Sequence, residues 1–392
     1  MITAPLGFRA AAVASGIKPD RLDLALVVAD RPSAAAGVFT ANRVQAAPVL
    51  VSREHLGAGR ARAIVVNAGC ANAATGAPGL GDARAMAAAV AAAVGCEARE
   101  VVVASTGVIG VPLPMDKLRA GIARAAAALS VEAGPEAASA IMTTDTRPKE
   151  IRVEVPLGST TAVIGGMAKG AGMIAPNLAT LLAFFTTDAA VPKDLLQPAL
   201  REAVGDSLNR ITVDGDTSTN DCAVILASGA RPGAGVAEGG TFNAFRRGLV
   251  EASHLLAEML VRDGEGVTRI AEVRVEGARS GAEADRVARV VAESPLVKTA
   301  LHGGDPNWGR ILAAVGRCGV ELDADRVAIW IGDVWVAEGG HAREYEEKDA
   351  AKAMQEDPVR FRIRLGEGGA TGWIWTTDLS HGYVDINAHY RS

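Results

Sequence analysis

Hydrophobic and polar positions follow two rhythms along this chain. "ARAIVVN", ending at Asn67, is a short apolar run that predicts a buried strand. "GDARAMAAAVAAAVGC" predicts a helix, with Asp82 as its N-cap and Gly95 as its C-cap. "EVVVAST" predicts the next strand, and "PMDKLRAGIARAAAAL" a helix starting near Pro114. The rhythm then shortens. "KEIRVEVPLGSTTAVIGGMAK" alternates with period two and predicts a hairpin of two strands around a Pro/Gly turn. The run after Thr180 reads as a strand, "PKDLLQPALREAVGDSLN" as a helix from Pro192, and "DCAVILASG" as a buried strand.

"ASGARPGAGVAEGG" is a flexible loop by composition. A long helix follows in "FNAFRRGLVEASHLLAEMLVRDG", then a strand in "TRIAEVRVEGA" and a helix in "GAEADRVARVVAESP". From about Val320 the pattern is mostly strands. No fixed-period repeat and no strong linker divide the chain, so the fold class expected is α/β or α+β, layered sheets with helices outside.

Composition narrows the partners. The 392 residues suffice for two domains or one large one. The net charge of −5 comes from interspersed signs with no basic block, which argues against nucleic acid. No apolar run reaches the ~20 residues of a membrane helix, and the N-terminus lacks a charged start followed by an apolar signal core. Cys70, Cys96, Cys222 and Cys318 are far apart, which points to a reduced, cytoplasmic protein.

The chemistry concentrates in "GGMAKGAGMIAPNLATLLAFFTTD", from Gly165 to Asp188. "GAGMIA" matches G-x-G-x-x-A, with Asp188 near the distance of a ribose-binding acid. Pro176 and Asn177 follow at once, where that fingerprint needs a helix, and the continuation favours a strand. A phosphate loop fails because Gly170, not Ser or Thr, follows Lys169. "DGDTSTND" fails as a calcium loop: Thr219 stands at the sixth position and Ile225 at the twelfth. A turn rich in Asx and Ser/Thr explains it better. The histidines show no metal-ligand spacing, so no metal is expected. What remains is Thr180, whose hydroxyl its own α-amino group could activate once the preceding bond is cut. On the residues alone, a satisfied core hydroxyl is the better explanation of Thr180.

The stretch closely resembles the processing site of the ornithine acetyltransferase (glutamate N-acetyltransferase) family of arginine biosynthesis. "GFRAAAVASGIK", "FTANRVQAAPV", "VVNAGCANAATG", "STGVIG", "IMTTDTRPKE", "ITVDGDTSTND", "RDGEGVTR", "LHGGDPNWGRI" and "YVDINAHYRS" look like the same family, in its order, over nearly the whole chain. Leu178 and Leu182 stand where the family often has methionine, a volume-conserving change.

The resemblance implies an αββα-type sandwich of N-terminal-nucleophile character that cuts itself at Ala179–Thr180. Residues 1–179 would form an α chain and 180–392 a β chain, intertwined in one fold and assembled as (αβ)2. It implies acetyl transfer from N2-acetyl-L-ornithine to L-glutamate by a ping-pong route through acetyl-Thr180. No cofactor is implied, although some members also take acetyl-CoA as donor. Thr106 and Gly107 match the oxyanion hole. Thr143, Lys169, Thr180, Glu265, Asn387 and Ser392 match substrate-binding positions; Thr144 and Thr146 compete with Thr143 for its role. A self-cleaving amidase or aminopeptidase of similar architecture is the alternative, and a catalytically silent binding protein that keeps the fold is a third reading.

Overall fold

The computed structural model describes residues 1–175 and 181–389. Ala179, Thr180 and Ser392 therefore lie outside the described residues. The strands are β1 (Phe8–Val13), β2 (Leu24–Phe39), β3 (Arg60–Cys70), β4 (Val101–Val108), β5 (Lys149–Leu157), β6 (Thr160–Lys169), β7 (Leu182–Thr187), β8 (Ile211–Thr212), β9 (Cys222–Ala227), β10 (Ile270–Ala278), β11 (Ala328–Ile331), β12 (Val334–Glu338), β13 (His341–Ala342), β14 (Val359–Arg364) and β15 (Ala370–Thr377). The helices are α1 (Ala47–His55), α2 (Gly76–Val94), α3 (Met115–Ala127), α4 (Gly134–Ala140), α5 (Lys193–Gly205), α6 (Gly240–Val261), α7 (Gly281–Ala292), α8 (Pro295–Gly303), α9 (Trp308–Gly316), α10 (Glu347–Ala353) and α11 (His381–His389).

The chain forms two compact units. One holds Met1–Asn209 and Asp216–Leu260; the other holds Arg210–Gly215 and Val261–Tyr390. The sequence shows no linker here because the division is not a single cut: the six residues 210–215 leave the first unit and return.

Among the described residues, the first unit is built on an eight-stranded mixed sheet, β4-β3-β2-β9-β7-β6-β5, with β1 paired to β2. Period-two alternation gives each strand two apolar faces. Leu24, Leu26, Ala63, Val65 and Val103 face one way, against Met86 and Val90 of α2 and Leu118 and Ile122 of α3. Ala25, Val27, Ile64, Phe184 and Val224 face the other way, with Ala137 and Ala138 of α4. Strands from both sides of Thr180 share this sheet: β6 pairs antiparallel with β7, and β7 parallel with β9.

The second unit carries a seven-stranded mixed sheet, β13-β12-β11-β14-β10-β15-β8, among the described residues. One face of it, with Val273, Val275, Phe361 and Ile363, packs on Val287 and Val291 of α7, Leu301 of α8 and Ile311 of α9. The mixed, layered α/β class expected from the sequence is the class observed. Among the described residues no helix is long and apolar enough to cross a membrane, and the four cysteines form no disulfide.

Most predicted elements occur where the pattern put them. The hairpin of β5 and β6 turns tightly between paired Leu157 and Thr160, with Gly158 at φ 65° as the first turn residue. Pro114 and Pro192 are the N-caps of α3 and α5, and Gly95 caps α2 in the left-handed conformation. Asp82 is not the N-cap of α2. That helix begins at Gly76 after Thr75, because Pro78 sits in the first turn, where its missing N–H is not needed. The loop after β9 is pinned despite its composition: the Arg231 guanidinium donates to the buried Asp188 carboxylate at 2.9 Å. In the last third, α10 and α11 interrupt the expected strands.

The Phe184 side chain is fully buried in the first sheet. Phe184→Ala is expected to cost ~3–5 kcal/mol in denaturant unfolding; a loss below about 1 kcal/mol would contradict this packing.

Candidate active site

The site in the first unit starts from two strand ends. β3 and β4 run parallel, placing Asn67 beside Ser105 and Gly69 beside Gly107. The Ser105 hydroxyl donates to Asn67 Oδ1 at 2.6 Å, and the Asn67 amide donates to the Cys70 carbonyl at 2.8 Å. These buried bonds fix the irregular end of the pair. Gly107 has φ 124°, and a Cβ there would fall 2.3 Å from the Gly69 carbonyl carbon. Only glycine fits this crossing.

β6 delivers the second component. Its last residue, Lys169, is buried and pairs with Leu182, two positions after Thr180 in sequence. Lys169 Nζ donates to Thr106 Oγ1 at 3.1 Å and to Thr143 Oγ1 at 2.8 Å. The structure thus brings together Thr106, Thr143 and Lys169, three residues far apart in sequence, and Gly107 adjoins them.

A buried carboxylate holds this group. Asp145 Oδ1 accepts from Lys149 Nζ at 2.7 Å and from the Gly170 N–H at 2.7 Å, while Oδ2 accepts from the Thr143 N–H at 3.0 Å. Burial by itself would raise the Asp145 carboxyl, but Lys169, Lys149 and the donated hydrogen bonds bring it down to about 2. Asp145 therefore stays ionised throughout the neutral range.

The "TSTND" segment backs the strand ends. The Asn220 amide donates to the carbonyls of Ala71 at 2.6 Å and Ser105 at 2.8 Å. The Thr219 hydroxyl donates to Asn220 Oδ1 at 2.7 Å, so this is a turn built of Asx and Ser/Thr side chains. Asp221 is buried; its carboxyl accepts from Ser218 and from the Leu181 N–H. Burial outweighs these bonds and pushes its pKa well above the usual carboxylate range.

The remaining expected positions fall in the second unit. Glu265 is buried, and the Asn387 amide donates to its Oε2 at 2.8 Å and to the Tyr383 carbonyl at 3.0 Å. The helix α11 presents Asn387 one turn after Tyr383. From Gly170 to Ala175 the chain forms no helix, so the glycines do not open a dinucleotide-binding turn. Among the described residues no group of three or more His, Cys, Asp or Glu is placed to hold a metal ion.

Asp145, Asn220 and Asp221 escaped the sequence reading as individual site residues. The Asp145–Lys149 spacing of four in "DTRPK" was a signal, but an exposed ion pair leaves the same trace.

Two substitutions separate the acids. A depressed folded-state pKa stabilises above the unfolded value of about 3.9, and this contribution fades as pH falls toward the folded value. Asp145→Asn should therefore cost ~3–5 kcal/mol at pH 7, because it leaves buried cations uncompensated. Its deficit should shrink as the pH drops toward about 2. Asp221 has the opposite sign: its ionisation is disfavoured by folding, at a cost that appears above about pH 4. Asp221→Asn should keep or raise Tm at pH 7, and the difference should vanish in acid. Thermal unfolding across pH decides both; a marked Tm loss for Asp221→Asn at pH 7 would contradict a carboxyl whose ionisation folding disfavours.

The ArgJ family model matches residues 9–392. The chain is 47% identical to the arginine biosynthesis bifunctional protein ArgJ of Symbiobacterium thermophilum, over all of this chain and 98% of that one. It is 49% identical to the protein of the same name in Methylococcus capsulatus, over 98% of this chain and 95% of the relative. The crystal structure of arginine biosynthesis bifunctional protein ArgJ from Bacillus halodurans superposes with a TM-score of 0.52 at 41% identity, covering 54% of this chain and all of that one. With the family's pattern running through β1 to α11, the chain belongs to the ArgJ family.

Proposed function

We propose that this chain moves the acetyl group of N2-acetyl-L-ornithine to L-glutamate through an acetyl-Thr180 intermediate. The chain is an acetyltransferase of arginine biosynthesis. The observation that carries the route is the convergence of Thr106, Thr143 and Lys169 at the end of β6, whose partner β7 begins at Leu182, two residues after Thr180.

Self-cleavage at Ala179–Thr180 frees the Thr180 α-amino group, whose ordinary pKa of about 7.7–8.0 suits a base near neutral pH. The Thr180 hydroxyl gives up its proton to that amine and attacks the acetyl carbonyl of the donor. The tetrahedral oxyanion is stabilised at Thr106 and Gly107. Thr106 Oγ1 accepts from Lys169, which leaves its own O–H hydrogen to donate to the oxyanion. Each such donor is worth ~3–4 kcal/mol in acyl transfer. Collapse expels ornithine as its amine takes the proton. The deprotonated α-amine of glutamate then attacks acetyl-Thr180; the acyl C–Oγ bond breaks, the Thr180 α-amine relays the proton lost by the nitrogen to Oγ, and N-acetyl-L-glutamate leaves.

Lys169 and Thr143 suit the α-carboxylate that both substrates carry. Glu265, with its Oε2 held by Asn387, suits the cationic δ-amine of ornithine, and Ser392 completes the binding set. Acetyl-CoA serves as a second donor, and no resident cofactor or metal is required. The cut chains stay together as α and β, assemble as (αβ)2 and work in the cytoplasm.

A denaturing gel of the purified protein should show two fragments, the second reading TLLAFF from its N-terminus. Thr180→Ala should stay full length and transfer no acetyl. Wild-type protein that remains uncut yet transfers acetyl, or release of acetate at the same rate without glutamate, would overturn this mechanism.

A further inference from the structure

The donor carries one carboxylate and the acceptor two, so an acceptor site needs an anion-holding group that the donor does not use. Lys18 is placed to supply it. The buried Asp23 carboxylate gathers the loop before β2: Oδ1 accepts from the Ser15 N–H at 2.6 Å, and Oδ2 from Gly16, Ile17 and Lys18 at 3.0, 2.7 and 3.0 Å. These four bonds set the loop rigidly and occupy both oxygens of Asp23. The Lys18 stem lies over Gly69: a Cβ on Gly69 would come 3.1 Å from Lys18 Cγ. Gly69 is the residue that crosses Gly107.

The ammonium of Lys18 donates to the Met142 carbonyl at 3.0 Å, one residue before Thr143. An ammonium has three donors. The charges around it are Arg21 and Asp23 on its own loop, Lys169 on β6 and Asp145 beside Thr143, while Lys117 of α3 reaches the same loop at Gly16. Asp145 is ion-paired with Lys149, and against Asp23 stand Lys18, Arg21 and Lys169, which leaves this wall with an excess of positive charge. Burial, with Arg21 and Lys169, lowers the Lys18 pKa to about 8. Such a wall attracts a dianionic amino acid and repels an ornithine ammonium.

We infer that Lys18 holds the side-chain carboxylate of glutamate in the second half-reaction, an assignment that rests on the acetyl-transfer reading above. Lys169 keeps the α-carboxylate that both substrates share.

The test compares wild type, Lys18→Met and Lys18→Arg in initial-rate assays with both substrates varied. Lys18→Met should raise the KM for glutamate roughly tenfold or more, as for one charge-assisted hydrogen bond, and that for N2-acetylornithine less than about twofold. Lys18→Arg should recover most of the loss. Glutarate, a dicarboxylate with no amine to titrate, should compete with glutamate, and its inhibition of the wild type should weaken as pH rises past about 8. In Lys18→Arg, whose guanidinium stays charged, it should not weaken. Equal shifts in both KM values, no shift in either, or the same pH profile in wild type and Lys18→Arg would overturn the assignment. If wild type transfers no acetyl to glutamate, the functional reading falls by itself. Calorimetry with glutarate then still decides Lys18, and equal affinities in wild type and the Met variant would refute it.

Discussion

The buried Asp145 carboxylate is the interaction on which the site depends. An isolated anion in that position would be far too costly, and Lys149 and Lys169 are what make it tolerable. In return it fixes three pieces of chain at once: the Thr143 N–H, the Gly170 N–H just beyond β6, and the Lys149 side chain at the start of β5. The Lys169 ammonium is thereby held over the hydroxyls of Thr106 and Thr143. Removing the acid would leave the buried Lys149 and Lys169 ammoniums without their counter-charge.

The mixed topology of the first sheet explains how such distant residues meet. Parallel pairing of β3 and β4 sends both strands to the same edge, where Gly69 and Gly107 cross. Antiparallel pairing of β6 and β7 brings Lys169 opposite Leu182, so the lysine and the residues just after Thr180 share one register. Asn220, arriving just before β9, closes the gap by donating to Ala71 and Ser105. Lys169 is held by the Thr106 and Thr143 hydroxyls and Asn220 by two backbone carbonyls, the kind of rigid mounting that acyl transfer requires.

Much of this was legible in the sequence, and the reasons differ by feature. The hairpin of β5 and β6 was plain because Ile151, Val153 and Val155 alternate with charged residues. The start of α2 was not, since "GAPG" reads as a turn until Pro78 is seen to occupy a first helical turn. The division into two units was hidden because it depends on a six-residue excursion, 210–215, rather than on a linker. Thr106, Thr143 and Lys169 came from family likeness; no local pattern distinguishes them from core or surface residues. Lys18, Asp145 and Asp221 leave no distinctive trace in the pattern, because burial, not spacing, sets their electrostatics.

The account stands or falls on a covalent acetyl group at Thr180. Intact-mass measurement of the protein mixed with N2-acetylornithine in the absence of glutamate reads it directly. The fragment that begins at Thr180 should gain the mass of one acetyl group, located on its first residue, and lose it when glutamate is added. Ornithine release with that fragment unmodified, or an acetyl group on any other residue that glutamate removes, would contradict the mechanism.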